Sequence, residues 1–482
     1  MKKAETDVLD PQPKAPPMEL GDSFRRAEQD HVLRFFSELN NDARAAFLKQ
    51  LKTIDLEQVR ELAAARSVAE APEAPERAPA SVVELGKEPD GTTRAQAVAR
   101  GKELLGTGKV GAFLVAGGQG TRLGFSGPKG CFPVGPLSGK TLFQLHAEKI
   151  RALGAEGGNP LTWYIMTSEA NDAETRAFFE SNQFFGLSPE NVLFFQQAMN
   201  PALDDDGKLV LEAKGRVFMS PNGHGGSYAA FAASGALEDA ERRGIEHLFY
   251  FQVDNPLIRI ADPLFMGLHD LTGSEMSLKV LRRAGPDEKV GVVALEDGDP
   301  KVIEYSDFSA EESARADASG DLVYWAASIG IHAFRISFFK RVANGSVSLP
   351  YHVASKKIPA LDKDGKAVQI DGRKFERFVF DALPFAKNPL NLEVVRAQEF
   401  GPVKNKEGVD SVDTARELLV EEYRRWLAAA GIQATGRIEI SPLVAVDAEQ
   451  LKSRLAGFEA DWNSDFVLEL AVDGSVEART AG

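Results

Sequence analysis

VGAFLVAGGQGTRLGFSGPKG, residues 110–130, is the stretch whose reading decides the fold. An apolar run of strand type leads straight into Gly117, Gly118 and Gly120, then Thr121, Arg122, Leu123 and Gly124, and finally Pro128 and Lys129. Glycines at the carboxyl end of a strand let the backbone approach a ligand closely and turn its N–H groups toward phosphate oxygens. In α/β sheets that edge is where ligands bind.

Working outward, the pattern alternates. After VGAFLV come a helical stretch near TLFQLHAEKIRAL (141–153), TWYIMTS (162–168), a helix from about Asp172, NVLFF (191–195) and HLFYFQVDN (247–255). Short β-rich runs alternating with helices predict a Rossmann-like α/β domain, its sheet mixed but mostly parallel and covered on both faces. Upstream, Val32, Phe35, Phe36 and Leu39 recur at helical spacing, and Asp55 is placed to cap a helix over EQVRELAAA. SVAEAPEAPERAPAS (67–81) has the composition of a linker. Downstream, VDTARELLVEEYRRWLAAAG (412–431) reads as a helix, followed by β-rich IEISPLVAV and DFVLELAV. The expected division is a helical N-terminal region with its linker over 1–95, an α/β catalytic domain over 96–400 and a small α+β domain over 401–482.

The bulk numbers narrow the partners. A chain of 482 residues, 43% hydrophobic, can bury more than one core. With 56 basic and 71 acidic residues the net charge is −15, which repels nucleic acid and anionic lipid, so neither is expected as a partner. An anionic substrate then needs a local cluster of Lys, Arg, backbone N–H and metal. The single cysteine, Cys131, excludes an internal disulfide and points to a reducing compartment. No run approaches the ~20 apolar residues of a membrane span, and MKKAETDVLDPQPKAPP has no signal-peptide core. A cytoplasmic protein is expected.

Three phosphate-binding readings compete for the glycine-rich turn. A dinucleotide fingerprint needs G-x-G-x-x-G, whereas Gly118, Gly120 and Gly124 are spaced one residue wider and lead into Arg and Lys. A Walker loop needs G-x-x-x-x-G-K-[ST]; Gly135 to Thr141 is one residue short and contains Pro136. The third pattern is G-G-x-G-T-R-L followed by P-K. It resembles the signature of UDP-sugar pyrophosphorylases. WYIMTS, FFGL, NVLFFQQ, PNGHGGSY, VDNPL, ADP, VGVV, VIEYS, HVASKKIP, RFVFD and FGPVKN follow in the order seen in eukaryotic UDP-N-acetylglucosamine pyrophosphorylases.

The resemblance implies a uridylyltransferase that joins UTP to a sugar 1-phosphate and releases pyrophosphate, with 96–400 as its nucleotidyltransferase domain. It implies that Val115, Ala116, Gly117, Gly118, Gln197 and Gly223 hold the nucleoside, and that Lys129 and Lys374 meet UTP phosphates. It further implies that Arg122, Lys129 and Lys404 serve the reacting centre, that Asp254 binds Mg²⁺ (Mn²⁺ substituting), and that Glu304 and Tyr305 face the sugar. The residue types suit the chemistry, since attack on the α-phosphorus brings two anions together and asks for positioning and neutralisation. Two positions depart from the family. His224 and Ser328 stand where the N-acetylglucosamine enzymes carry asparagines, so glucose 1-phosphate and N-acetylglucosamine 1-phosphate are both expected substrates. The alternative is an inactive nucleotide-sugar-binding protein of the same fold.

Overall fold

The computed structural model describes residues 15–65, 75–89 and 91–480. They divide into two compact units, one of residues 15–65, 198–226 and 349–378, the other of 75–197, 227–348 and 379–480. This division cuts across the boundaries drawn at 95/96 and 400/401, because each unit is assembled from segments far apart in sequence.

In the first unit, helices Met18–Arg26, Asn41–Thr53 and Leu56–Ala64 share a core with a hairpin, His352–Leu361 against Ala367–Glu376. Phe24, Phe47 and Leu62 meet Leu203, Leu211 and Phe375 in that core. Asp55 caps its helix as the sequence predicts, accepting from the amides of Glu57 and Gln58. The helical spacing of Val32, Phe35, Phe36 and Leu39 produces two short 3₁₀ turns, Asp30–Leu33 and Phe36–Glu38, and all four side chains are buried. An extended Leu39 and the Asn40 cap of the next helix interrupt a longer run.

The second unit is built on a ten-stranded sheet. Its strands in chain order are β1 (Arg77–Pro79), β2 (Val110–Val115), β3 (Thr162–Thr167), β4 (Val192–Gln196), β5 (His247–Gln252), β6 (Met276–Arg282), β7 (Val292–Glu296), β8 (Asp299–Ile303), β9 (Ala326–Arg335) and β10 (Leu390–Glu393). The path runs β1-β7-β9-β5-β2-β3-β4, with β8 on β7 and β6 between β9 and β10. Strands β5, β2, β3 and β4 are parallel; β9 runs antiparallel to β5 and opens the mixed half of the sheet.

VGAFLV is buried on both faces, as a parallel strand between helical layers must be. Leu114 and Ala112 face one apolar layer, while Phe113 meets the rings of Phe231, Tyr250 and Phe339. Helices Arg94–Gly106 and Pro263–Leu271 touch backbone to backbone at Gly101 and Gly267, where a Cβ on either glycine would collide with a carbonyl of the other helix. The C-terminal helix Val412–Ala429 and strands Ile438–Ile440, Phe466–Leu470 and Val476–Thr480 share a core that includes Leu257.

The segment read as a linker lies outside the described residues up to Ala74, but its later part is an ordered strand. Residues Arg77–Pro79 pair with β7, and the Arg77 guanidinium, itself only 8% exposed, bridges Glu296 and Glu312. Those ion pairs and the ladder outweigh the Ala/Pro composition. Among the described residues no helix is long and apolar enough to cross a membrane.

Candidate active site

The parallel strands end together. In register, Val115 stands opposite both Met166 and Gln252, and Thr167 opposite Gln196, so the segments after β2, β3, β4 and β5 emerge at one edge. Those segments carry the glycine-rich loop, Ser168, Gln197 and Asp254.

The loop is folded on itself. The Gly120 amide donates to Gly127 O, Phe125 N to Gly120 O, and Lys129 N to Gly118 O at 3.1 Å. Gly118 has no atom within 4 Å of where a Cβ would stand, so its backbone is open to a ligand. At Gly117 a Cβ would come within 2.8 Å of Gln197 Nε2, which keeps Gln197 tight against the loop.

Two residues that the sequence reading did not single out hold this loop from behind. Asn171, 1% exposed, donates from Nδ2 to Ala116 O (2.9 Å) and Gly118 O (3.3 Å), while its Oδ1 accepts from Ser168 N. The Ser168 hydroxyl lies 2.8 Å from Gly117 O. Their signal is Ser-x-x-Asn directly after a neighbouring parallel strand, where polar side chains reach the next loop's carbonyls.

Lys129 and Asp254 meet beside it. Lys129 Nζ donates to Asp254 Oδ2 at 2.9 Å, with side chains 17% and 13% exposed. Helix Leu142–Gly157 fixes the Asp254 segment. His146 Nε2 lies 3.0 Å from Val253 O, and Lys149 Nζ donates to Pro256 O and Ile258 O. Burial pushes the His146 imidazole down to about 3, so the ring is neutral and donates to that carbonyl. On the other side Val403 N donates to Asp254 O, Gly401 N to Asn255 Oδ1, and Asn255 Nδ2 to Glu399 O. Lys404 is thereby brought next to the Asp254 backbone; its ammonium faces Asp410 at 3.3 Å and the Phe400 ring at 5.4 Å. Arg122 stands exposed on the 3₁₀ turn Thr121–Leu123, with no ion pair among the described residues.

Glu304 and Ser328 are neighbours through one glycine. Ser328 N donates to Gly291 O at 2.8 Å, and Glu304 Oε1 lies 3.5 Å from the Cβ position of that same Gly291. Tyr305 begins a 3₁₀ turn and is 45% exposed.

Gly223, His224 and Lys374 lie in the other unit. Gly223 has φ +66° and its Cβ position abuts Arg377 O, so a side chain there is barred twice. Gly225 N donates to Arg377 O and Arg377 N to Asn222 O, tying the loop to the hairpin. His224 stacks on Phe378 (5.2 Å between centroids), whose ring also stacks on His352 (4.2 Å). Lys374 places its ammonium 5.0 Å from the Phe218 ring.

The Walker-like Lys140 is spent elsewhere. It is 9% exposed and pairs with Glu148 at 2.8 Å, Ser441 Oγ at 3.1 Å and Glu469 at 3.5 Å. Gly135–Thr141 is therefore a structural turn.

The donor set also tests the expected metal. No group of three or more His, Cys, Asp or Glu side chains among the described residues forms a protein cage. A lone carboxylate at a strand end fits Mg²⁺, which takes one or two protein carboxylates and fills its remaining positions with phosphate oxygens and water.

A glycine-rich loop and a lysine–carboxylate pair, with Lys404 beside them, at the carboxyl ends of a parallel sheet define the class: a nucleotidyltransferase of the α/β type. Residues 85–453 match the family described as UTP–glucose-1-phosphate uridylyltransferase, and the chain belongs to that family. It is 40% identical to UDP-N-acetylhexosamine pyrophosphorylase-like protein 1 of Homo sapiens over 90% of this chain and 94% of the relative. It is 39% identical to the UDP-N-acetylglucosamine pyrophosphorylase of Saccharomyces cerevisiae, covering 77% and 80%. The crystal structure of the Trypanosoma brucei uridine diphosphate N-acetylglucosamine pyrophosphorylase superposes with a TM-score of 0.79 at 30% identity, covering 92% of this chain and 96% of that one.

Proposed function

We infer that the chain is a UTP:sugar-1-phosphate uridylyltransferase. A sugar-phosphate oxygen attacks the α-phosphorus of UTP; the new O–Pα bond forms as the bond from Pα to the bridging oxygen of the β-phosphate breaks, and pyrophosphate leaves. The uridylyl group and the sugar phosphate become the UDP-sugar. The step needs no protein nucleophile, so the protein's part is positioning and charge neutralisation. The observation that carries the reading is the 2.9 Å Lys129–Asp254 pair set beside the open backbone of Gly118.

Within this reading Val115 to Gly118 and Gln197 hold the base and ribose together with Gly223. Lys129, Lys374, Lys404 and Arg122 neutralise phosphate charge, and Asp254 holds Mg²⁺ or Mn²⁺. The metal, when bound, supplies positive charge to the phosphate oxygens. Glu304, Tyr305, His224 and Ser328 face the sugar. The Cys131 thiol, pushed up to about 12 by burial, resists ionisation, which suits a structural cysteine; a single cysteine, which allows no internal disulfide, suits a reducing compartment, and we place the reaction in the cytoplasm.

Sugar choice follows from His224 and Ser328. An amide can donate to and accept from an acetamido group, whereas a serine hydroxyl is shorter and an imidazole points its donor and acceptor apart. Glucose 1-phosphate should therefore be used within about two orders of magnitude of N-acetylglucosamine 1-phosphate in kcat/KM, a gap of roughly 3 kcal/mol. Pyrophosphate release with both sugars in competition tests this. The double variant His224→Asn/Ser328→Asn should shift the ratio toward the acetamido sugar; an unchanged ratio contradicts the assignment.

A further inference from the structure

A recess in the second unit, separate from the phosphate loop, is lined by the segment Leu257–Pro263, the helix Val412–Ala429 and residues 440–447. It opens to solvent, and its water-accessible volume is about 80 Å³. Its wall is apolar and aromatic, with Leu153, Leu419, Tyr423 and Trp426 among its side chains.

Its charges are unevenly satisfied. Four lining carboxylates already have donors: Glu156 accepts from Gln450 Nε2, Asp262 from Lys279, Glu422 from Trp426 Nε1 and Arg425, and Asp447 from Gln450 N. Arg259 also lines the recess, yet no hydrogen bond or ion pair joins it to another described residue. Asp262 first, against the opposing effect of burial, and then Glu399, Asp447 and Glu422 hold its guanidinium firmly charged. Burial pushes the Lys149 ammonium down to about 7, and its donors are already given to Pro256 O and Ile258 O. The unspent charged group is thus a donor, the Arg259 guanidinium, whose fork suits a two-oxygen anion. The surrounding carboxylates disfavour a polyanion such as a nucleotide.

We propose that this recess is an effector site for a monoanionic aromatic small molecule, whose carboxylate or sulfonate pairs with Arg259 while its rings pack on Tyr423 and Trp426. Occupancy acts on the active site through the backbone, because the floor residues Leu257–Ile258 continue the segment that begins at Asp254 and that Lys149 and Asn255 hold in place. That regulatory effect rests on the uridylyltransferase reading; the binding does not.

The test uses the full chain and 8-anilinonaphthalene-1-sulfonate as probe. Its fluorescence should saturate at a single site both with and without saturating UTP, with Kd raised at least about tenfold in Arg259→Gln. On the unaltered protein the neutral analogue N-phenyl-1-naphthylamine should bind more weakly than the sulfonate. Probe binding should change the rate of pyrophosphate release by about fivefold or more, and Arg259→Gln should remove that response at the same probe concentration. Displacement by UTP, equal affinity of the two probes, or an unaltered Kd in Arg259→Gln overturns the site. Intact binding with an unchanged rate overturns the effector role. Absence of pyrophosphate release with every sugar phosphate would instead refute the uridylyltransferase reading and leave the binding result standing.

Discussion

Asn171→Ala removes the brace behind the glycine-rich loop without touching a residue assigned to substrate through its own side chain. The Asn171 side chain is 1% exposed and makes four polar contacts: it donates to Ala116 O and Gly118 O and accepts from Ser168 N and Ser168 Oγ. Each net hydrogen bond is worth about 1 kcal/mol, and a buried partner left unmet costs about 1–3 kcal/mol, so the variant should lose roughly 2–4 kcal/mol of stability. The functional loss is separate. Freed from Asn171, the backbone from Ala116 to Gly118 no longer holds one orientation, so UTP must order the loop on binding and its affinity should fall by about tenfold, near 1.4 kcal/mol. Asn171→Asp keeps the acceptor toward Ser168 but sets oxygen against two carbonyls, and should be at least as weak. Isothermal titration with UTP, alongside chemical denaturation, measures both effects. Unaltered UTP affinity in a folded Asn171→Ala protein would refute the claim that this residue sets the loop.

Asp254→Asn should lower turnover by at least roughly 100-fold with Mg²⁺, since the phosphate-bound metal loses its charged protein ligand; steady-state kinetics with Mg²⁺ and Mn²⁺ check this, and near-normal turnover removes Asp254 from that role. Lys140→Ala should leave UTP affinity within about twofold while destabilising the protein by about 3–5 kcal/mol, because Glu148 would remain buried without its partner; denaturation and UTP titration on one preparation separate the two outcomes.

The sequence carried the strand–loop part of the site well. VGAFLV is apolar on both faces and runs into glycines, and that local pattern alone placed a ligand-binding turn at the edge of a parallel sheet. Asp254 was legible for the same reason, since it follows HLFYFQV. What sequence could not supply was partnership across long separations. Asn171 and Ser168 act on carbonyls some fifty residues away, with |i−j| of 51 to 55, and His146 reaches Val253 across 107 residues. The strand at Arg77–Pro79 was hidden by its Ala/Pro/Glu surroundings, because what orders it is pairing with β7 and the ion pairs to Glu296 and Glu312. The helical spacing around Val32–Leu39 marked the buried face correctly but not the 3₁₀ geometry, which the following extended Leu39 and capped helix impose. Lys140 shows the converse: a motif-like lysine whose partners, Glu148, Ser441 and Glu469, are visible only in the fold.

The central claim is uridylyl transfer at the α-phosphorus, and phosphorus-31 NMR of one reaction tests it most directly. With the protein, UTP, Mg²⁺ and either N-acetylglucosamine 1-phosphate or glucose 1-phosphate, the account predicts that the UTP and sugar-phosphate resonances decline together. The two resonances of a UDP-sugar and the single resonance of pyrophosphate should grow in equal amounts, and UTP should persist when the sugar phosphate is left out. Formation of UDP with inorganic phosphate, UMP without sugar transfer, or no change with any sugar 1-phosphate would contradict it.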